Sequence, residues 1–336
     1  MKILILRFSS IGDIVLTSPV IRVLKTQLDQ PEIHFATKKG NEPLLEANPY
    51  LDRVHLLDKD MMTLIRELKT ERFDLIIDLH RNLRTLLIKF ILRRPSHSFR
   101  KLHFKKWILT TFKINLLPNV HVVDRYFEAI APLGLKKDSL GLDHFIPHKD
   151  EVEREWLPES FQRAYAVVIM GGAWATKRLP TRRLIELCDR INKPVILIGG
   201  PPESAAGEEI EAFFRRQDTP GPYDKGLIEL GKKTIVYNAC GKFNLNQSAS
   251  IVQQSSWVFT HDTGLMHIAA AFKKPLFTIW GSTVPEFGMY PYRTKFTIFE
   301  NKKLTCRPCS KIGRRKCPKG HFKCMNENVF DFYLPD

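Results

Sequence analysis

The chain has 336 residues, of which 43% are hydrophobic and 26% charged, and its net charge is +16. This composition is typical of a soluble globular protein, and the length predicts two domains of roughly 150 residues each. The first apolar run, Ile3 to Leu6, is too short for a signal peptide, and no stretch reaches the roughly 18 apolar residues of a membrane span. Six cysteines in such a chain predict a reducing, cytosolic environment.

The positive charge is concentrated in two segments. Residues 81–125 contain eleven Lys and Arg but one acid, Asp124, and residues 301–325 contain nine Lys and Arg and no acid. Such segments attract polyanions, so nucleic acid, anionic lipid and phosphorylated glycolipid are all candidate partners.

The first half of the chain alternates strand-like and helix-like segments. A continuous apolar run predicts a buried strand in KILILRF, and helical spacing follows in DIVLTSPVIRVLKTQL. Further strands are predicted in EIHFATKK, RVHLLD and FDLIIDLH, with helices in EPLLEANPYL and MMTLIRELKTE. This alternation is typical of a parallel sheet.

A basic segment with many large apolar residues then interrupts the alternation, and HVVDRYFEAIAPLGL predicts a helix that ends at Gly134. The alternation restarts with the strand AYAVVIM. The helices TRRLIELCDRI, LNQSASIVQQS and TGLMHIAAAF then alternate with the strands KPVILIGG, WVFTHD and KPLFTIWGS. We predict an α/β protein with two Rossmann-like domains facing a cleft, at 1–148 and 161–300, joined by a linker at 149–160.

The strongest local pattern lies in residues 261–275. A predicted strand ends at Asp262, a helix begins at Thr263 and Gly264, and His267 lies one turn later. Free backbone amides and the helix dipole at such a start favour an anion. The alternative interpretation is a capped helix in which Asp262 or Thr263 is the cap and His267 packs.

A second pattern is the loop GGAWATKRLP, residues 171–180. Glycines follow a predicted strand, and Thr176, Lys177 and Arg178 lie in the loop, an arrangement that suits a diphosphate. A solvated basic loop is the alternative. Both loops follow predicted strands, where open α/β sheets bind ligands.

The third pattern is SSIGD, which ends in Asp13 at the start of the first helix. An aspartate there is a common helix cap. It could also be a general base in the cleft, because a cap position lowers the pKa and keeps the carboxylate ionised. The two roles are compatible.

Other patterns point away from metals and from common nucleotide folds. The tail contains Cys306, Cys309, Cys317 and Cys324, whose short later gaps fit free thiols or a stress-formed disulfide better than structural zinc. The acidic pair Asp58 and Asp60 predicts a solvated turn. No P-loop and no strand-anchored G-x-G-x-x-G occur, which argues against a P-loop nucleotidase and a dinucleotide dehydrogenase.

Four segments occur in a characteristic order: ILILRFSSIGDIVLTSPVIRVLK, GGAWATKRLP, THDTGLMHIAAAFKKPLFTIWGST and CRPCSKIGRRKCPKGHFKCM. Together they resemble the family 9 glycosyltransferases, the ADP-heptose:lipopolysaccharide heptosyltransferases, over nearly the whole chain. The resemblance implies a GT-B architecture. It also implies inverting, metal-independent and cofactor-free transfer of heptose from ADP-heptose to the core sugar of a lipid A-linked precursor.

The same resemblance implies individual roles. Asp13 matches the general base, and Lys177 matches a lysine that contacts the donor phosphates. The residues expected to form the donor site are Ser10, Gly12, Gly172, Thr176, Lys177, Asp262, Thr263, Gly264 and His267. The tail, 301–336, is expected to pack toward the N-terminal domain.

The segment DLHRNLRT resembles a family segment near the acceptor that often has glycine at the position of Arg81. The surrounding basic segment suits an anionic glycolipid acceptor and peripheral contact with the cytoplasmic face of the inner membrane, although a solvated basic surface is the alternative. The residues expected to bind acceptor or membrane are Arg81, Arg84, Arg93, Arg94, Arg100, Lys101, Lys105 and Lys106.

Two other functions fit parts of the sequence. The alternative enzyme is a GT-B transferase that uses a different nucleotide sugar for a cell-surface glycan, since no residue reveals the base or the sugar of the donor. A nucleic-acid-binding protein fits the charge and the C-x2-C tail, but the basic segments match no nucleic-acid motif, so we expect no nucleic-acid partner.

Overall fold

A computed structural model of the chain describes residues 1–217 and 234–335. Its strands form two sheets, and every strand pair is parallel. In chain order the strands are β1 (Lys2–Leu6), β2 (Glu32–Lys38), β3 (Arg53–Leu57), β4 (Leu75–Asp78), β5 (Ser96–Ser98), β6 (Ala166–Ile169), β7 (Val195–Ile198), β8 (Val236–Asn238), β9 (Trp257–His261), β10 (Leu276–Trp280) and β11 (Phe296–Glu300).

Helices connect the strands, as parallel neighbours require. Among the described residues, none of them combines the length and apolarity needed to cross a bilayer. In chain order they are α1 (Ile11–Val15), α2 (Ser18–Gln27), α3 (Met61–Thr70), α4 (Leu83–Leu92), α5 (His103–Phe112), α6 (Val122–Tyr126), α7 (Thr181–Ile191), α8 (Ser204–Gln217), α9 (Leu245–Gln254), α10 (Gly264–Ala271) and α11 (Lys323–Asn326).

The sheet orders explain where a ligand can bind. The first sheet runs β3-β2-β1-β4-β5 and the second runs β11-β10-β9-β6-β7-β8. Strand order therefore reverses beside β1 in the first sheet and between β6 and β9 in the second, and crevices at such reversals are the usual ligand sites. All three sequence patterns, SSIGD, GGAWATKR and HDTG, follow these strands. The predicted α/β architecture with two Rossmann-like units is confirmed.

Three predicted helices differ from the structure. The segment DIVLTSPVIRVLKTQL is two helices, because α1 ends at Val15 and α2 begins at Ser18 with Pro19 in its first turn. EPLLEANPYL was expected to be helical, but a 3-10 helix spans Lys39–Leu44 and contains Pro43, whose missing amide weakens a longer helix. The helix predicted up to Gly134 stops as α6, and short 3-10 turns containing Pro132 complete the segment. Gly134, with a φ of 70°, does end that segment as predicted.

The tail lies mainly on the second domain. We expected it to pack toward the N-terminal domain, but its buried residues Met325, Phe330 and Leu334 belong to the core of the second sheet. Contact with the first domain comes from the Lys113 ammonium, which donates to the Pro308 carbonyl at 2.7 Å.

Candidate active site

The turn between β1 and α1 is a capped helix start. Ser10 has extended backbone angles and is the N-cap residue, so Asp13 is the third residue of α1 and not the cap itself. Asp13 Oδ2 accepts hydrogen bonds from the Ser10 amide at 3.0 Å and from the Ser10 hydroxyl at 2.8 Å. These two bonds fix the carboxylate at the carboxyl edge of the first sheet.

A buried arginine holds the other oxygen of the same carboxylate. Arg7, the residue after β1, places Nη2 2.7 Å from Asp13 Oδ1. Its guanidinium also donates to the carbonyls of Ser9 and Leu79 and lies 5.7 Å from the centre of the Tyr126 ring. These contacts leave the guanidinium little freedom to move away from Asp13.

This environment keeps Asp13 ionised. Desolvation alone would raise the pKa of the Asp13 carboxyl, but the charge of Arg7 and the hydrogen bonds from Ser10 outweigh it, so the pKa lies below its ordinary value. The carboxylate is partly exposed to the cleft. It can therefore act as an anionic proton acceptor at neutral pH.

The turn after β9 contains a second carboxylate with a cation. Lys177 Nζ lies 2.5 Å from Asp262 Oδ2, and the Thr283 hydroxyl donates to the same oxygen at 2.9 Å. The ion pair joins the loop after β6 to the turn after β9, which were two separate sequence patterns. A lysine ammonium has three N–H donors, so Lys177 keeps donor capacity for a further anion.

The two domains meet where α1 and α10 begin. A Cβ on Gly12 would lie 2.6 Å from His267 Cδ2, and a Cβ on Gly264 would lie 2.6 Å from Ile11 Cγ2. Neither position accepts a larger residue without movement, so the two glycines permit this close crossing. The crossing places Asp13 and the predicted anion-binding start of α10 on one cleft.

His267 is a buried neutral imidazole at that crossing. Burial lowers the pKa of His267 to about 4, although Asp262 and Asp13 oppose the shift. Within the described part of the chain its Nδ1 atom has no hydrogen-bond partner. This polar atom lies at the domain crossing. The position fits both interpretations of His267 from the sequence, as a residue that packs in a capped helix and as part of an anion-binding helix start.

Two predicted donor residues have protein partners. A Cβ on Gly172 would lie 3.2 Å from Arg178 Cγ, so this glycine allows the loop to pack closely. Thr176 is buried, donates its hydroxyl to Ser282 Oγ at 2.9 Å and accepts from the Arg314 amide at 2.7 Å. These bonds tie the loop to the tail, and a contact of Thr176 with a donor stays a prediction.

The predicted basic residues divide into two groups. Lys101 and Lys106 are half-buried near the cleft, whereas the others are exposed. Desolvation and then Arg125 lower the pKa of Lys106 to about 8, while Asp13 and Asp262 oppose this. The Lys106 ammonium also lies 5.1 Å from the centre of the Phe287 ring in the second domain. Lys106 thus reaches across the cleft.

Arg81 occupies a strained position. Its φ is 52°, in the left-handed region that favours glycine. Asp78 Oδ1 stabilises this turn by accepting from the amides of His80 at 3.0 Å and Arg81 at 2.6 Å. The Arg81 guanidinium donates to the Phe99 carbonyl at 3.2 Å.

Sequence reasoning missed Arg7 and Thr283, which hold the two carboxylates. The signal for Arg7 is a charged residue directly after a buried strand and six positions before Asp13. No comparable signal marks Thr283, which comes close to Asp262 through the fold alone.

The four tail cysteines are free thiols, and Cys306 Sγ lies 4.0 Å from His321 Nε2. In residues 1–217 and 234–335, the group of three potential metal ligands within 4.8 Å of one another is His34, His55 and Glu71, away from the tail. Zinc at about 2.3 Å from each sulfur would need the thiols to approach more closely.

Comparisons with known proteins identify the family of the chain. The family model "Glycosyltransferase family 9 (heptosyltransferase)" matches residues 61–319. The lipopolysaccharide heptosyltransferase 1 of Campylobacter coli is 24% identical over 324 residues, which cover 91% of each chain.

Solved structures show the same fold. The E. coli ADP-heptose LPS heptosyltransferase II has a TM-score of 0.66 at 20% identity, covering 97% of this chain and 98% of that chain. The E. coli heptosyltransferase WaaC with ADP-2-deoxy-2-fluoro heptose has a TM-score of 0.64 at 18% identity, covering 88% and 93%. The chain is thus a GT-B enzyme that belongs to glycosyltransferase family 9, the heptosyltransferase family.

Proposed function

We propose that the protein transfers heptose from ADP-heptose to the core sugar of a lipid A-linked lipopolysaccharide precursor, with inversion and without a metal ion. The observation that carries this proposal is the position of two features on one cleft. The ionised Asp13 carboxylate lies on the side of the first domain, and Lys177 and the start of α10 lie on the side of the second. Relatives named as lipopolysaccharide heptosyltransferases support the heptose and the acceptor, and WaaC with an ADP-heptose analogue supports the donor.

In this mechanism Asp13 is the general base. An acceptor hydroxyl attacks the anomeric carbon of the heptose while its proton moves to an Asp13 oxygen. The bond between that carbon and the β-phosphate oxygen breaks, and its electron pair leaves with ADP. Attack opposite the leaving group inverts the anomeric centre. Because the base has a lowered pKa, its proton transfer occurs late, as the hydroxyl acidifies during attack.

The second domain stabilises the leaving group. Negative charge develops on the β-phosphate, where the free N–H donors of Lys177 and the amides at the start of α10 would bind it. Asp262 and Thr283 orient Lys177 before the donor arrives. Cationic donors of this kind can take over the charge neutralisation that a metal supplies elsewhere.

An anionic acceptor fits the first domain. A cavity of about 440 Å³ lies after β2 and β3. Its charged lining consists of one carboxylate, Asp58, which pairs with Lys39 at 3.4 Å, and four cations: Lys38, Lys39, Lys59 and Arg84. Carboxylate or phosphate groups of a lipopolysaccharide core would bind there by charge. The exposed arginines and lysines of residues 81–106 would hold the enzyme peripherally on the anionic cytoplasmic face of the inner membrane.

The test is ADP release by the purified protein from ADP-heptose and a deacylated core acceptor. Asp13→Ala should abolish release while ADP still binds. Release from UDP-sugars in place of ADP-heptose would overturn the proposed donor. Full activity of Asp13→Ala would overturn the proposed base.

A further inference from the structure

The helices α4 and α5 expose an unusual number of large apolar side chains. On α4, Leu83 is 82% and Phe90 71% exposed, and Leu86 and Leu87 are also exposed. This spacing of three, four and seven residues places them on one face of the helix. The opposite face, with Ile88 and Leu92, is buried in the first domain.

On α5 the exposed apolar side chains form an aromatic ridge. Phe104 is 69% exposed, and its ring lies 5.8 Å from that of Trp107 in a stacked arrangement. Trp107 in turn lies 5.4 Å from Phe112, edge to face, and both are exposed. Trp107 thus contacts both phenylalanine rings at the surface, where such clusters usually mark an interaction site.

Cations border both apolar faces. Arg84 lies within α4, Arg93 and Arg94 follow it, and Lys105 lies within α5; all four are exposed. A second copy of the chain would bring the same cations against one another, which disfavours self-association. Apolar side chains bordered by Lys and Arg match a bilayer interface with anionic headgroups.

The inner side of α5 lies against the cleft. Leu109 packs with Val284 and Phe287 of the second domain, and Lys113 donates to the Pro308 carbonyl. A bilayer on the outer side of α5 would therefore lie next to the cleft mouth. A lipid-linked sugar could then reach Asp13 while its acyl chains stay in the membrane.

We propose that the apolar face of α4 and the aromatic ridge of α5 insert into the interface of an anionic bilayer. This proposal rests on the peripheral membrane contact in the proposed function. It adds the insertion of apolar side chains to the attraction between charges. It predicts a component of membrane binding that survives high salt, because screening weakens the cations but not apolar burial.

The first experiment measures sedimentation of the full chain with vesicles of phosphatidylcholine and phosphatidylglycerol in equal amounts. The triple variant Phe104→Ser, Trp107→Ser, Phe112→Ser should bind at least about tenfold more weakly. The wild-type chain should keep measurable binding in high salt. Equal binding by the triple variant, or complete loss of wild-type binding in high salt, would overturn the insertion.

A matched control uses Trp156, which is 60% exposed but lies in the interdomain segment. Trp156→Ser should bind vesicles like the wild type. Quenching of tryptophan fluorescence by brominated lipid should disappear in Trp107→Phe and persist in Trp156→Phe; the reverse pattern would refute insertion of α5. A wild-type dimer that the triple variant converts to a monomer would also refute it.

Activity separates this inference from the proposed function. The triple variant should release ADP at the wild-type rate with a soluble deacylated acceptor, and its melting temperature should be unchanged. If no heptose transfer occurs but the ridge variants still lose vesicle binding, the proposed function fails and the insertion stands.

Discussion

Both domains place an aspartate in the turn after a central strand, yet the two carboxylates are held differently. Asp13 is bound by Arg7 and Ser10, which lie within six residues of it in the chain. Asp262 is bound by Lys177 and Thr283, which come from other loops. The first arrangement is local, whereas the second joins distant segments.

The difference between the two cations fits the separate roles that we propose for the two turns. Arg7 is buried, stays charged at all relevant pH values and is fixed by two carbonyls, so it keeps Asp13 an anion. Lys177 has a flexible side chain with spare donors, so it can turn toward an incoming phosphate. A fixed pair suits a base, and an adaptable pair suits a ligand site.

The largest effect should come from exchanging the two carboxylates for amides. Asp13→Asn should lower kcat by about a thousandfold, because the amide cannot accept the proton, while ADP affinity stays near wild type. Asp262→Asn should lower kcat by about tenfold and weaken donor binding, because Lys177 loses its anchor. Initial rates of ADP release and calorimetric titration with ADP measure both effects. Similar kinetic defects in the two variants would contradict the division of roles.

Removing the adaptable cation should have the next largest effect. Lys177→Met should reduce the rate by about a hundredfold, because the leaving phosphate loses a charged donor. Lys177→Arg keeps the charge and should recover part of this loss, as measured by ADP release and by Kd for ADP. A rate for Lys177→Met within twofold of wild type would exclude Lys177 from the leaving-group site.

The difference between local and distant contacts also determines how much of the site could be predicted from the sequence. The SSIGD turn was predictable because its cap and carboxylate lie within four residues. The Lys177–Asp262 ion pair was not, since its partners are 85 positions apart and meet through the order of β6 and β9.

The sequence also does not show whether the apolar residues of α4 and α5 are buried or exposed. Leu83 and Phe90 have the spacing of a core face, and the structure alone shows that the exposed face contains them. The tail was misplaced for a related reason, because its aromatic residues could pack on either domain. Local patterns therefore predict strands and turns, whereas tertiary packing determines which faces of the helices are exposed.

One added methyl group where α1 and α10 cross should destabilise the folded protein. Gly264→Ala would place its Cβ against Ile11 and should lower the free energy of unfolding by about 1 to 3 kcal/mol. Gly40→Ala is the control, since no atom lies within 4 Å of the added carbon and stability should hardly change. Urea unfolding followed by circular dichroism measures both. Equal stability of the two variants would mean that the helices separate without cost.

The smallest effect should come from changing the cation beside the base. In Arg7→Met the carboxyl keeps its desolvation but loses its counter-charge, so the pKa of Asp13 should rise. The acidic limb of the pH–rate profile should then move to higher pH, because a larger fraction of the base is protonated at a given pH. The rate at the optimum should fall by about tenfold, as when one charge-assisted hydrogen bond is lost.

Arg7→Lys tests whether the charge of Arg7 or the shape of its guanidinium group sets the ionisation of Asp13. It keeps the positive charge but cannot hold Asp13 and the carbonyls of Ser9 and Leu79 with the same fork of donors. Its acidic limb should stay close to that of the wild type while its rate falls. If the limb of Arg7→Met also stays in place and the variant melts like the wild type, Arg7 does not set the ionisation of Asp13. The local turn would then be held by Ser10 alone, and the contrast with the Lys177 turn would lie in geometry and not in charge.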